Sequence, residues 1–135
     1  LISHAFNRKT IMGNELYLKL ALGKLEVNEG MLVENVVAQM LKASGHELFF
    51  YSNNSKYSAE DRMEIDFLVS KPVITNRHNI SPIEVKSSNS YTITSLNKLR
   101  TKFAPMLAES YVLHPADVEV KDGVVYLPLF MASLL

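Results

Sequence analysis

The apolar residues of this chain change their spacing at Gly45, and that change restricts what the chain can fold into. Between Asn28 and Gly45, Val33, Val36, Val37, Met40, Leu41 and Ser44 fall on one side of a wheel turned by about 100° per residue, with Asn35, Gln39 and Lys42 opposite. Asn28 suits the N-cap, Glu29 the first turn, and Gly45 the position just past the last turn. Glu34 sits about a quarter-turn from the apolar centre, on a flank of small residues with Gly30 and Ala38. From that flank a carboxylate can point along a neighbouring sheet surface.

Beyond Gly45 the spacing is that of strands. Glu47–Tyr51 is short and aromatic, and Ser52–Ser58 is a Ser/Asn loop. Arg62–Val69 alternates, with Met63, Ile65, Phe67 and Val69 on one face and Arg62, Glu64, Asp66 and Leu68 on the other. After a loop over Lys71–Asn79, Ile80–Lys86 is a further strand, with Pro82 near its start, where a missing donor is tolerated. Thr92, Thr94 or Ser95 caps a second helix that turns Leu96, Leu99 and Phe103 inward and ends near Pro105. Tyr111–Leu113 and Val118–Val120 are strands, and Asp122-Gly123 turns the chain back into Val124–Leu127. Leu129–Leu135 is an apolar tail. The order α, β, β, β, α, β, β, β predicts an α/β fold, a mixed sheet with flanking helices.

Length and composition narrow the classes. A chain of 135 residues suits one core, and 47% hydrophobic residues excludes wholesale disorder. Residues 1–27 are expected to be a lead-in from an upstream segment and 28–135 the folded domain, since Leu1 is no initiator methionine. No apolar run exceeds four residues, so no membrane span is expected. Nothing resembles a signal peptide, and a cytoplasmic location is expected. With 14 basic and 14 acidic residues, no global field draws in nucleic acid or anionic lipid. The absence of cysteine removes disulfides, thiolate nucleophiles and cysteine-bound zinc. The five glycines are too scattered for a phosphate-binding loop, so the chain carries no ATP site of that kind.

Chemistry concentrates around Asp66, Glu84 and Lys86. Asp66 lies on one strand, Glu84 and Lys86 on the next, and residues two apart share a face. Paired strands run about 4.8 Å apart, so a suitable register sets two carboxylates side by side as a hard-oxygen site for magnesium. A lysine at its edge can orient or deprotonate an attacking water and stabilise charge building on phosphorus. The competing reading is surface salt bridging. Glu-Val-Lys occurs twice, at Glu84–Lys86 and Glu119–Lys121, where composition leads one to expect about one such spacing by chance. Only the first copy has an acidic strand before it and Glu34 upstream; the second is expected on an exposed hairpin. Lys98, Arg100 and Lys102 follow the first copy in a stretch without any acid, which suits either phosphate contacts or a solvated helix face. His4, His46, His78 and His114 show no paired metal-ligand spacing.

Several motifs in order resemble a known family. They are Asn28 to Gln39, with its G-x-x-x-E-x-x-V pattern, then Glu64-Ile65-Asp66-Phe67-Leu68, Ile83-Glu84-Val85-Lys86-Ser87-Ser88, and the tail Leu127 to Ala132. From about Asn14 onward the chain resembles the C-terminal domain of unknown function of bacterial and archaeal AAA-type P-loop ATPases, which is similar to the PD-(D/E)XK nuclease superfamily. The resemblance implies a restriction-endonuclease-like core and an ATPase domain upstream in the parent chain. It implies that Asp66 and Glu84 are metal-binding acids, Lys86 the catalytic lysine, and Glu34 the helix glutamate that completes a magnesium site. The function expected is that of a magnesium-dependent nuclease-like domain binding or hydrolysing DNA, with Lys98, Arg100 and Lys102 gripping it. The alternative is a non-catalytic module that recognises a partner protein or nucleic acid for the ATPase.

Overall fold

The structure is a computed structural model and describes residues 2–4, 29–70 and 79–135. The expectations for Asn28, for the stretch 14–25 and for most of the 71–79 loop lie outside these residues. The described elements are β1 (Ile2–His4), α1 (Glu29–Ala43), β2 (Leu48–Asn53), β3 (Met63–Ser70), β4 (Ile80–Val85), α2 (Thr94–Phe103), β5 (Ser110–His114), β6 (Glu119–Lys121) and β7 (Val124–Pro128). Short 3-10 turns follow α2 (Ala104–Met106) and close the chain (Leu129–Leu134). The expected element order from α1 onward is found, and β1 adds an edge strand from the lead-in.

The described strands join one seven-stranded mixed sheet in the order β1-β2-β3-β4-β5-β7-β6. β1 through β4 pair antiparallel, β4-β5 and β5-β7 pair parallel, and β6 folds back antiparallel on β7. β4 is therefore the seam between an antiparallel half and a parallel one. Pro82 is tolerated there because the β4-β5 ladder begins only at Ile83↔Tyr111, so no bond is forfeited.

Each face of the sheet carries its own core. On one, Val37, Ala38 and Leu41 of α1 pack with Leu48, Phe67, Val69, Ile83, Val85, Leu113 and Leu127. On the other, Leu96 and Leu99 of α2 pack with Met63, Ile65, Leu68, Val112 and Val124. The stripe of α1 is rotated from the one expected: Asn35 is buried and Val36 is 49% exposed. The reason is packing, because small Ala38 lets the helix approach the sheet on that side and carries Asn35 inward with it. No helix of the described residues is long and apolar enough to cross a membrane.

Two turns follow from their glycines. α1 ends in a Schellman motif, with His46 N–H donating to Leu41 O and Gly45 N–H to Lys42 O, and Gly45 takes the required positive φ of 91°. Asp122 and Gly123 both have positive φ, at 51° and 75°, which makes the β6-β7 connection a two-residue type I′ hairpin. α2 is capped differently from the expectation. Ile93 occupies the N-cap without a side-chain bond, and the Ser95 hydroxyl instead accepts the Glu64 N–H from β3 at 3.3 Å.

Candidate active site at the β3-β4 seam

β3 contains a bulge beside its acid. Phe49 pairs with Leu68 and Tyr51 with Ile65, so Asp66 and Phe67 together oppose Phe50. An extra residue shifts the strand by one step and reverses the facing of everything beyond it. The uniform alternation expected over this strand is thereby corrected: Met63, Ile65 and Leu68 face α2, whereas Phe67 and Val69 face α1.

The bulge also frees the Asp66 side chain to act where the ladder ends. Lys86 N–H donates to Leu113 O of β5 at 2.8 Å, so the preceding N–H, that of Val85, points the other way, toward β3. There it donates to Asp66 Oδ2 at 2.8 Å. Backbone pairing of β3 with β4 stops at Phe67↔Ile83, and one further step of that register sets Asp66 opposite Glu84. A carboxylate has taken the place of a strand carbonyl.

Ile83 and Val85 face α1, so alternation sends Glu84 and Lys86 to the α2 side. Glu84 is only 5% exposed. Its Oε1 lies 3.6 Å from Lys86 Nζ, an ion pair too long for a good hydrogen bond, and its Oε2 is buried with no hydrogen-bond partner among the described residues. Burial pushes the Glu84 carboxyl above the usual glutamate range, and the Lys86 charge opposes that shift without cancelling it. A buried carboxylate oxygen with nothing to accept from is costly, and a dication is one partner that would relieve it.

Lys86 is flanked by residues that the sequence did not single out. Its Nζ lies 5.9 Å from the centroid of the Tyr91 ring. The Tyr91 hydroxyl lies 2.8 Å from His114 Nδ1, and His114 Nε2 lies 2.9 Å from Asp117 O. His114 is buried at the end of β5, with the Tyr126 ring 5.5 Å from its own. Burial raises the pKa of both tyrosines, and the charges of Glu119 and Glu84 add to it. The signal available beforehand was position alone: His114 ends a strand parallel to β4, and carboxyl ends of parallel strands are where such sheets place ligands.

Of the expected site residues, Glu84 and Lys86 form an ion pair and Asp66 bonds the N–H of Val85, the residue between them in sequence, while the others lie elsewhere. Glu34 is half-buried on α1, which packs on the opposite face of the sheet from Glu84. Among the described residues no three His, Asp or Glu side chains come together as a metal-holding group, so Glu34 does not complete a set with Asp66 and Glu84. The three cations of α2 do not form one face. Lys98 Nζ donates to Ala59 O at 2.6 Å and to Arg62 O at 2.9 Å, and Lys102 pairs with Asp61 at 2.7 Å. Arg100 points away from both and donates to Asp122 O at 2.7 Å. Lys98 and Lys102, with Glu60, Asp61, Met63, Thr94, Asn97 and Thr101, line a groove of about 610 Å³ of mixed charge. Glu119 and Lys121 are exposed on β6, at the edge of the sheet remote from β3.

Residues 29–131 match the model of a family described as Domain of unknown function (DUF4143). No curated protein and no solved structure matches the chain.

Proposed function

The chain belongs to the DUF4143 family of domains of unknown function, a premise that sets no activity, and we propose that it is a magnesium-dependent nuclease-like domain. In this reading it has a PD-(D/E)XK type of core, serves a P-loop ATPase module of its parent chain, and binds or hydrolyses DNA phosphodiesters. The observation that carries the reading is Glu84, a buried carboxylate with an unpartnered oxygen, ion-paired to Lys86 and followed by Val85, whose N–H holds Asp66. The residues fit the ion, because magnesium keeps several waters and needs only one or two protein carboxylates, here Asp66 and Glu84. When bound it supplies polarisation of a phosphoryl oxygen and a more acidic water.

The protein's own groups have distinct tasks. Burial raises the Glu84 pKa, so protons compete with a metal for its carboxylate more strongly than at an ordinary glutamate, and metal affinity rises with pH. Asp66 is oriented by the Val85 N–H, which fixes one of its oxygens. Lys86 Nζ, paired with Glu84, would orient an attacking water or stabilise a phosphate oxygen.

A second reading, a recognition module without catalysis, is favoured by the zero net charge and by the partners that already hold Lys98, Arg100 and Lys102. Titration calorimetry and cleavage assays separate the two. Magnesium is expected to bind wild type and to support DNA cleavage, and calcium to bind without supporting it. Asp66→Asn is expected to lose binding, and Lys86→Ala to keep binding while losing turnover. No heat with millimolar magnesium in the presence of DNA refutes the nuclease reading and leaves the recognition module.

A further inference from the structure

We propose that Tyr91 is a positioning residue for Lys86, anchored through its hydroxyl to His114, so that the lysine is held between the Glu84 carboxylate and an aromatic face. The inference builds on the role given to Lys86 above. Its geometric part stands apart from catalysis.

One proton position follows from the contacts. The Asp117 carbonyl can only accept, so the His114 Nε2 at 2.9 Å carries the hydrogen and donates it. In the neutral imidazole Nδ1 is then an acceptor, and the Tyr91 hydroxyl at 2.8 Å is its donor. Tyr91 is thereby held at its far end by a buried side chain on a core strand, although the residue itself lies in the connection between β4 and α2. Rings of Tyr91 and His114 meet edge to face with centroids 6.1 Å apart, and Tyr126 backs His114 from β7.

Lys86 lies at the near end. Its side chain is 22% exposed, its ammonium is 3.6 Å from Glu84 Oε1, and the Tyr91 ring centroid is 5.9 Å away. A cation at that distance is attracted to the face of a ring. An unconstrained lysine has four rotatable side-chain bonds and spreads over many rotamers; a carboxylate on one side and an anchored ring on the other remove most of that freedom before substrate arrives. If Glu84 turns its charge toward a dication, the ring remains as the support that keeps Nζ at the site.

The test follows the Lys86 side chain by NMR in protein carrying labelled lysine, free of metal, and in parallel measures magnesium affinity and cleavage. In wild type the Lys86 Hε protons should show an upfield ring-current displacement. Tyr91→Leu should abolish it, while Tyr91→Phe and His114→Phe, which keep the Tyr91-side ring but remove its anchor, should reduce it. Tyr91→Phe keeps the ring volume at a half-exposed loop position, so it reports even if His114→Phe fails to fold. With a catalytic wild type, Tyr91→Leu should lower kcat by roughly 10–100-fold, the scale of a reactive group displaced by about 1 Å, with KM for DNA and magnesium affinity unchanged. An unchanged Lys86 signal in Tyr91→Leu, or an unchanged kcat, overturns the proposal. A wild type that binds no magnesium refutes the nuclease reading instead, and the Lys86 signals then decide the positioning claim alone.

Discussion

Replacing Asp66 with alanine removes a strand-end hydrogen bond and, under the proposed function, a metal ligand, and the two losses are separable. The Val85 N–H points into the β3-β4 seam, and Val85 is 8% exposed, so water does not readily replace Asp66 Oδ2. Leaving a buried donor unsatisfied costs about 1–3 kcal/mol. For a domain of this size each kcal/mol lowers Tm by about 3–5 °C, so Asp66→Ala should melt roughly 3–15 °C below wild type. Asp66→Asn keeps an oxygen that can accept the same N–H and loses only the charge assistance, about 1 kcal/mol or less. Magnesium affinity should vanish in both, because each lacks the charged oxygen. Thermal denaturation gives the first ordering and calorimetry the second. Amide exchange at Val85 ties the stability loss to its cause: protection should fall in Asp66→Ala and largely persist in Asp66→Asn. If Asp66→Ala melts with wild type and leaves Val85 exchange unchanged, the carboxylate is not holding the seam.

Glu84→Gln should stabilise the metal-free protein, and increasingly so as pH rises. The folded-state pKa of Glu84 lies above its unfolded value, so its contribution is fully present at low pH and lost as pH climbs through the raised value; denaturation of both proteins across pH should give curves that diverge upward from the ordinary glutamate range. Gly123→Ala should destabilise by about 1 kcal/mol or more, because φ is 75° and the added methyl would meet Arg100 Nη2 at 2.8 Å. Arg100→Ala in the same background should recover the steric part, which a double-mutant cycle measures. Phe67→Ala should cost about 3–5 kcal/mol in urea denaturation, since Phe67 is fully buried beneath α1.

Local rules made much of the frame legible. Gly45 announced the end of α1 and Asp122-Gly123 the hairpin, because each turn needs a positive φ that few residues accept. Glu84 and Lys86 were placed on one strand face by simple alternation, as found. The bulge was not legible, because Phe67 and Leu68 are both apolar and satisfy either phase of the strand. His114 escaped because its nearness to Lys86 arises from parallel pairing of β4 with β5, which no local spacing records. The cations of α2 were visible as charges, but Lys98 and Arg100 bond backbone carbonyls of Ala59, Arg62 and Asp122, which any sequence would supply, and Lys102 takes the distant Asp61 carboxylate. Asn35 shows the same limit from inside the core: helical period gives a face, and the depth of approach to the sheet sets where that face is centred.

The second Glu-Val-Lys copy, whose Glu119 reaches the site only as a charge felt by Tyr91 and Tyr126, bears on how the protein behaves in company. β6 is an outer strand of three residues; Val118 just before it and Val120 at its centre are 56% and 69% exposed. Such a rim is a template onto which another chain can stack and extend the sheet without limit. Glu119 and Lys121 interrupt the valines with charge, and the tight turn at Asp122 cuts the rim short. Between Val118 and Val125 the valines are thus broken by Glu119, Lys121 and the Asp122-Gly123 turn, and these charges act as gatekeepers against fibre growth.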